Sequence, residues 1–202
     1  EGVSSPVRVA ALSDLHCREF GKGNSRLLDK IKAKSPDAIF AVGDMISNNS
    51  DISDADEMVA LLCRLNEIAP TFFAPGNHEL EYISRTGDDL LTKVSNAGIT
   101  VVNDSYVDCN FGGQAIRIGG EYLSFSIFHF GSLPSTQGIT KSIFIIQILY
   151  VTREPIRGIL RIAHETISER IIVTTLNNGT PIIGVINVGK RSKKVNKLSI
   201  RG

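Results

Sequence analysis

Asp14, His16, Asp44, Asn77 and His78 are the residues of this chain whose types and order could do hydrolytic chemistry. They fall into three groups: Asp14-Leu15-His16, Gly43-Asp44 and Gly76-Asn77-His78-Glu79. Hydrolysis with two metal ions needs hard or borderline cations about 3.5–4 Å apart. A carboxylate suits the place between them because its two oxygens can reach both, and Asp44 is the candidate bridge. Asp14 and His16 lie two apart and can turn toward one ion. Asn77 offers a neutral carbonyl oxygen to the second. His78, left free of metal, would serve as general acid at the leaving oxygen. Mixed oxygen and nitrogen donors suit Mn, Fe, Zn or Co better than Ca.

Each group must be positioned by the element before it. Residues 7–12, 38–42 and 71–74 are short apolar runs that read as buried strands. Polar residues just past the carboxyl ends of successive parallel strands converge on one crevice. The intervals, 30 residues from Asp14 to Asp44 and 33 from Asp44 to Asn77, suit one βα unit each. Taken singly the groups have ordinary uses, since Gly-Asp is a common turn pair. Their force comes from all three in order, each after a strand. Gly43 and Gly76 let the backbone turn tightly beside the ions.

The intervening segments read as helices. Asn24 or Ser25 can cap one running to about Lys34, with Leu27, Leu28 and Ile31 on one face. Ser53 or Asp54 can cap the next, where Met58, Leu61, Leu62, Leu65 and Ile68 recur at helical spacing. A third covers about 87–97, with Gly98 at its C-terminal cap. Residues 99–102 form a fourth strand, and 106–119 a hairpin around Phe111-Gly112-Gly113. Alternating strands and helices place the chain in the α/β class with a mostly parallel sheet.

These three groups resemble the first signature blocks of the calcineurin-like metallophosphoesterase superfamily over about residues 7–120. The resemblance implies a β-sandwich flanked by helices, of which the N-terminal βαβαβ half is recognisable. It implies two divalent ions (Mn, Fe or Zn): Asp14 and His16 on the first, Asp44 bridging, Asn77 on the second, His78 assisting the leaving group. It also implies a phosphorylated substrate, whether a small molecule, a nucleotide or a lipid.

The family pattern includes a further His and a Gly-His-x-His block, and neither occurs in its expected form. After His78 only His129 and His164 remain, and both read as packed or surface histidines. Residues 1–120 carry 11 Lys+Arg against 17 Asp+Glu, a net of −6, whereas 121–202 carry 11 against 4, a net of +7. No Asp follows Asp108, and isoleucine becomes frequent. The C-terminal half therefore reads as divergent or incomplete. A reading-frame change after about Gly120 is the preferred account, because a shifted GAT codon becomes ATN, mostly isoleucine. The alternative is a family relative that has lost the ligands and acts as a binding module, or a truncated fragment.

Within 121–202, residues 143–151 suit a strand or a short helix, and 154–169 a helix. Residues 171–176 and 181–188 suit two strands of a hairpin turned by Asn177-Asn178-Gly179. Three cysteines without a C-x-x-C pair argue against a disulfide framework or a zinc knuckle. The longest apolar run is far shorter than the ~20 residues of a membrane span. The basic residues at 190–194 lack interleaved aromatics, so nucleic-acid binding is not expected. The chain begins with Glu1, which leaves open a cytoplasmic protein or one anchored through an upstream segment.

Overall fold

The side chains of β1 (Val7–Ser13), β2 (Ala38–Val42) and β3 (Thr71–Ala74) alternate between two interiors. Ala10, Leu12, Ile39, Ala41 and Phe73 face one, and Val7, Val9, Phe40, Val42 and Phe72 face the other. A strand covered on both faces has no polar side, which is why these runs are apolar apart from the exposed Arg8 and the strand-end residues Ser13 and Thr71. The computed structural model describes residues 7–111, 113–123, 142–148, 170–176, 182–188 and 196–197.

The first interior lies under four helices, α1 (Ser25–Lys32), α2 (Ile52–Asn66), α3 (Asn77–Thr86) and α4 (Leu90–Asn96). Leu27, Leu28 and Ile31 of α1 pack there, as do Met58, Leu62 and Leu65 of α2. The second interior lies between two sheets. The first sheet has the order β10-β9-β1-β2-β3-β4, with β4 at Thr100–Val101, β9 at Ile182–Val188 and β10 at Asn196–Lys197. β1 to β4 are parallel, and β9 joins the outer edge of β1 antiparallel, from Val7↔Val188 to Ser13↔Ile182. The second sheet has the order β5-β6-β7-β8, with β5 at Ser105–Phe111, β6 at Gln114–Leu123, β7 at Ser142–Ile148 and β8 at Arg170–Leu176. Ile116 and Ile118 of β6 face Phe40, Phe72 and Val102 in the shared core. The architecture is therefore α/β, a two-sheet sandwich with helices on the first sheet, as the sequence leads one to expect. β6 runs through residue 120, and β7 to β10 extend both sheets.

The structure departs from the sequence reading at several places. The N-terminal cap of α2 is Asp51, not Ser53 or Asp54. Asp51 Oδ1 accepts from Asp54 N at 3.0 Å, and Asp54 Oδ2 accepts from Asp51 N at 3.1 Å, a reciprocal pair that satisfies two free donors. Asn24 precedes α1 as expected, but its side chain accepts from Phe20 N instead of capping the helix. The helix expected over 87–97 is shorter, and α3 lies in front of it. Of the two options left open for 143–151, the strand holds over Ser142–Ile148, and residues 149–151 lie outside the described ones. β8 and β9 do not form a hairpin, because they belong to different sheets. Their main chains pair over long range with β7 and β1 instead, which overrides the local turn signal. The expected helix over 154–169 lies outside the described residues, as do His129 and His164.

Candidate metal centre

Adjacent parallel strands β1, β2 and β3 end on the same side of the sheet, and each is followed by one of the three motifs. The loops after β1 and β2 are bonded through their main chains. Asp14 N donates to Gly43 O at 3.2 Å, His16 N to Asp44 O at 3.0 Å and Cys17 N to Met45 O at 2.9 Å. Asp14, His16, Cys17 and Asp44 all take left-handed φ values, between 48° and 60°. Non-glycine residues held this way store of order 1–3 kcal/mol each and tend to occur at functional sites.

The side chains converge. One ligating atom each from His16, Asp44 and His78 lie within 4.8 Å of one another. The His16 and His78 rings stand at 90° with centroids 4.8 Å apart. Asp14 Oδ1 is 3.9 Å from His16 Nε2. Asp44 Oδ1 accepts from His78 N at 3.2 Å. Asn77, the first residue of α3, is buried and precedes His78 directly. The structure thus brings Asp14, His16, Asp44 and His78 to one place, with Asn77 at the helix end that adjoins it.

Burial pushes the Asp14 carboxyl up to about 6, and Asp44 pushes the same way. The hydrogen bond from Ser13 Oγ to Asp14 Oδ2 and the nearby His78 work against that rise. Asp14 Oδ1 is buried without a hydrogen-bond partner, and so is His78 Nδ1. An unpartnered carboxylate oxygen in a dry interior is costly, and a bound cation would relieve that cost. Burial and His78 lower the pKa of His16, which favours the neutral imidazole that a metal requires. Carboxylate and imidazole donors with unfilled atoms fit a divalent cation.

Sequence reasoning assigned no task to Glu79, which is wholly buried behind the site. Its carboxylate accepts from Gly76 N at 2.7 Å and Asp44 N at 2.8 Å. It also accepts from Met45 N at 2.8 Å and Ile46 N at 3.1 Å. Burial and Asp44 push its pKa up, and these backbone N–H groups pull it down. The available signal was its place as the third residue of α3, where an acidic residue reaches back to the helix start. A cavity of about 310 Å³ lies beside the first two loops, lined by residues including Leu15, Cys17, Met45, Met58 and Arg64. None of the candidate donors lines it.

A sequence model of the calcineurin-like phosphoesterases matches residues 7–175. The chain belongs to this family. An uncharacterized metallophosphoesterase of Campylobacter jejuni, Cj0846, is 32% identical over 97 residues. That match covers 47% of this chain and 25% of the Campylobacter protein, so the chain spans only about a quarter of that relative. The crystal structure of TT1561 of Thermus thermophilus has the same fold, with a TM-score of 0.60 at 14% identity. The match covers 98% of this chain and 100% of the other. A calcineurin-like phosphoesterase is expected to use divalent metal ions, in accord with the donor set. No helix among the described residues is long and apolar enough to cross a membrane.

Proposed function

We propose that this calcineurin-like phosphoesterase hydrolyses a phosphoester at the cluster of Asp14, His16, Asp44, Asn77 and His78. The observation that carries the reading is the convergence of His16, Asp44 and His78 beside the unpartnered Asp14 Oδ1, at the ends of three adjacent strands. Asp14 and His16 would hold one divalent ion, Asp44 would bridge to a second, and Asn77 would hold that second ion. Bound divalent ions would polarise a phosphoryl oxygen and lower the pKa of a solvent oxygen, supplying the nucleophile at neutral pH. The chain's own residues do the remaining work. The main-chain bonds between the first two loops fix the approach of Asp14 and His16 to Asp44. His78, with a ring nitrogen free of hydrogen bonds, would deliver a proton to the leaving oxygen. Its backbone bond to Asp44 keeps that ring against the cluster. A phosphorylated small molecule, nucleotide or lipid is the proposed substrate, and Mn, Fe or Zn the proposed ion.

One observation favours a second reading. Among the described residues a single cluster of three His, Cys, Asp or Glu donors is present, fewer than two ions require. A chain with that set alone would be a binding module or a fragment that keeps the family's framework. Metal content per chain, measured after growth with manganese, separates the two. Near two ions in wild type, lost in Asp44→Asn together with hydrolysis of a chromogenic phosphodiester, is the expected result. One ion or none, with no hydrolysis, would establish the binding module. A frame change after about Gly120 also stands as a proposal. Retranslating the coding DNA should bring a Gly-His-x-His block into view in another frame, and its absence from both would refute the idea.

A further inference from the structure

Glu79 is ionisable and wholly buried, and the proposed reaction does not use it. Its two oxygens meet four main-chain donors: Oε2 takes the N–H groups of Asp44 and Gly76, and Oε1 those of Met45 and Ile46. A carboxylate offers about four lone-pair sites, so these donors fill it. Three of them are consecutive and belong to the loop after β2. The fourth precedes α3. One side chain therefore couples the loop that carries Asp44 to the helix start that carries Asn77 and His78. The return link is the His78 N–H donated to Asp44 Oδ1. Asp44 sits in a left-handed conformation at φ 52°, which needs support from its surroundings.

We propose that Glu79 is a positioning residue that holds the Asp44 carboxylate and the start of α3 that bears Asn77, both proposed cation ligands, at the separation a divalent cation requires, by accepting from the N–H groups of residues 44, 45, 46 and 76. The inference rests on the reading that the cluster binds a cation. Glu79→Gln is nearly isosteric, but it turns one acceptor oxygen into an NH₂ group facing two N–H donors. Such an amide cannot satisfy them.

The test combines amide hydrogen exchange on the metal-free protein with calorimetric titration of Mn²⁺. In wild type the amides of Asp44, Met45, Ile46 and Gly76 should be protected as well as those of β2, although they lie outside strands. In Glu79→Gln they should exchange at least tenfold faster while β2 and β3 stay protected, and the Mn²⁺ dissociation constant should rise at least tenfold. Tyr82→Phe, on the same helix, removes the hydroxyl donated to Asp88 and controls for lost stability. Its Mn²⁺ affinity should match wild type. Loop-like exchange at the four amides in wild type would overturn the proposal even if the Gln variant failed to fold. So would a folded Glu79→Gln that binds Mn²⁺ as tightly as wild type, or an equal loss of affinity in Tyr82→Phe. Wild type that binds no Mn²⁺ at all would overturn the cation reading and, with it, the metal-positioning role. The exchange data would still report whether Glu79 holds the loops.

Discussion

Asp14 pays for its place in the site while no cation is bound. Its carboxyl is wholly buried and titrates at about 6, above the ordinary 3.8. The folded chain therefore holds that proton more tightly than the unfolded chain. Between about pH 4 and 6 the native state binds more protons, so this group's contribution to stability falls as pH rises through that window. Asp14→Asn removes the ionisation. Metal-free Asp14→Asn should melt a few degrees above metal-free wild type at about pH 7.5, where about 1 kcal/mol moves the midpoint by roughly 2–4 °C. The gap should close toward about pH 4, and saturating Mn²⁺ should reverse the order at neutral pH. Circular-dichroism melts in chelator across that range would check it; a metal-free variant less stable than wild type at neutral pH would refute it. The convergence of the three motifs was legible in the sequence, because each follows one of three adjacent parallel strands. The role of Glu79 was not, because three of its four partners are main-chain N–H groups of a loop 33 to 35 residues away.

At the scale of elements, the strands β1 to β3 were legible because each is covered on both faces and so is apolar along nearly its whole length. The helix α3 was missed for the opposite reason. Its buried positions are Asn77, Glu79 and Tyr82, so site chemistry interrupts the apolar stripe that would have announced it. The start of α2 was misplaced because Asp51, Ser53 and Asp54 are all capable caps, and only the reciprocal Asp51–Asp54 geometry chooses among them. Asp51→Ala should cost about 1 kcal/mol, whereas Ser53→Ala should be nearly neutral. Urea unfolding of both variants measures the difference; equal losses would show that the cap lies elsewhere. At the other end of α3, Tyr82 donates to Asp88 at 2.9 Å and Lys93 donates to the same oxygen at 2.7 Å, which joins α3 to α4. Lys93 and the Tyr82 hydroxyl hold the Asp88 carboxyl below the ordinary carboxylate range.

The two sheets meet closely where the chain passes from one to the other. A Cβ added at Gly120 would lie 2.1 Å from the carbonyl oxygen of Val102. Val102 is pinned in turn, its N–H donating to Phe73 O at 2.8 Å. The neighbour is backbone and cannot swing aside, so Gly120→Ala should destabilise by about 3 kcal/mol, at the upper end of overpacking costs. Thermal unfolding would show it as a clear fall in midpoint, and an unchanged midpoint would mean that the seam yields to a methyl group. Nothing local in Gly119-Gly120 announces this, because the contact spans two sheets. The same holds for β9, whose partner lies at the far end of the sequence.

That separation orders events during synthesis. The candidate donors and Glu79 lie between residues 14 and 79, whereas the strand that closes the outer edge of β1 begins at Ile182. Translation at about 5–20 residues per second leaves roughly 5–20 s between the two. For that interval the nascent chain can assemble its three loops while the outer edge of β1 stays bare. A cation taken up then would brace the newborn half-sheet during the period in which it is most exposed to aggregation.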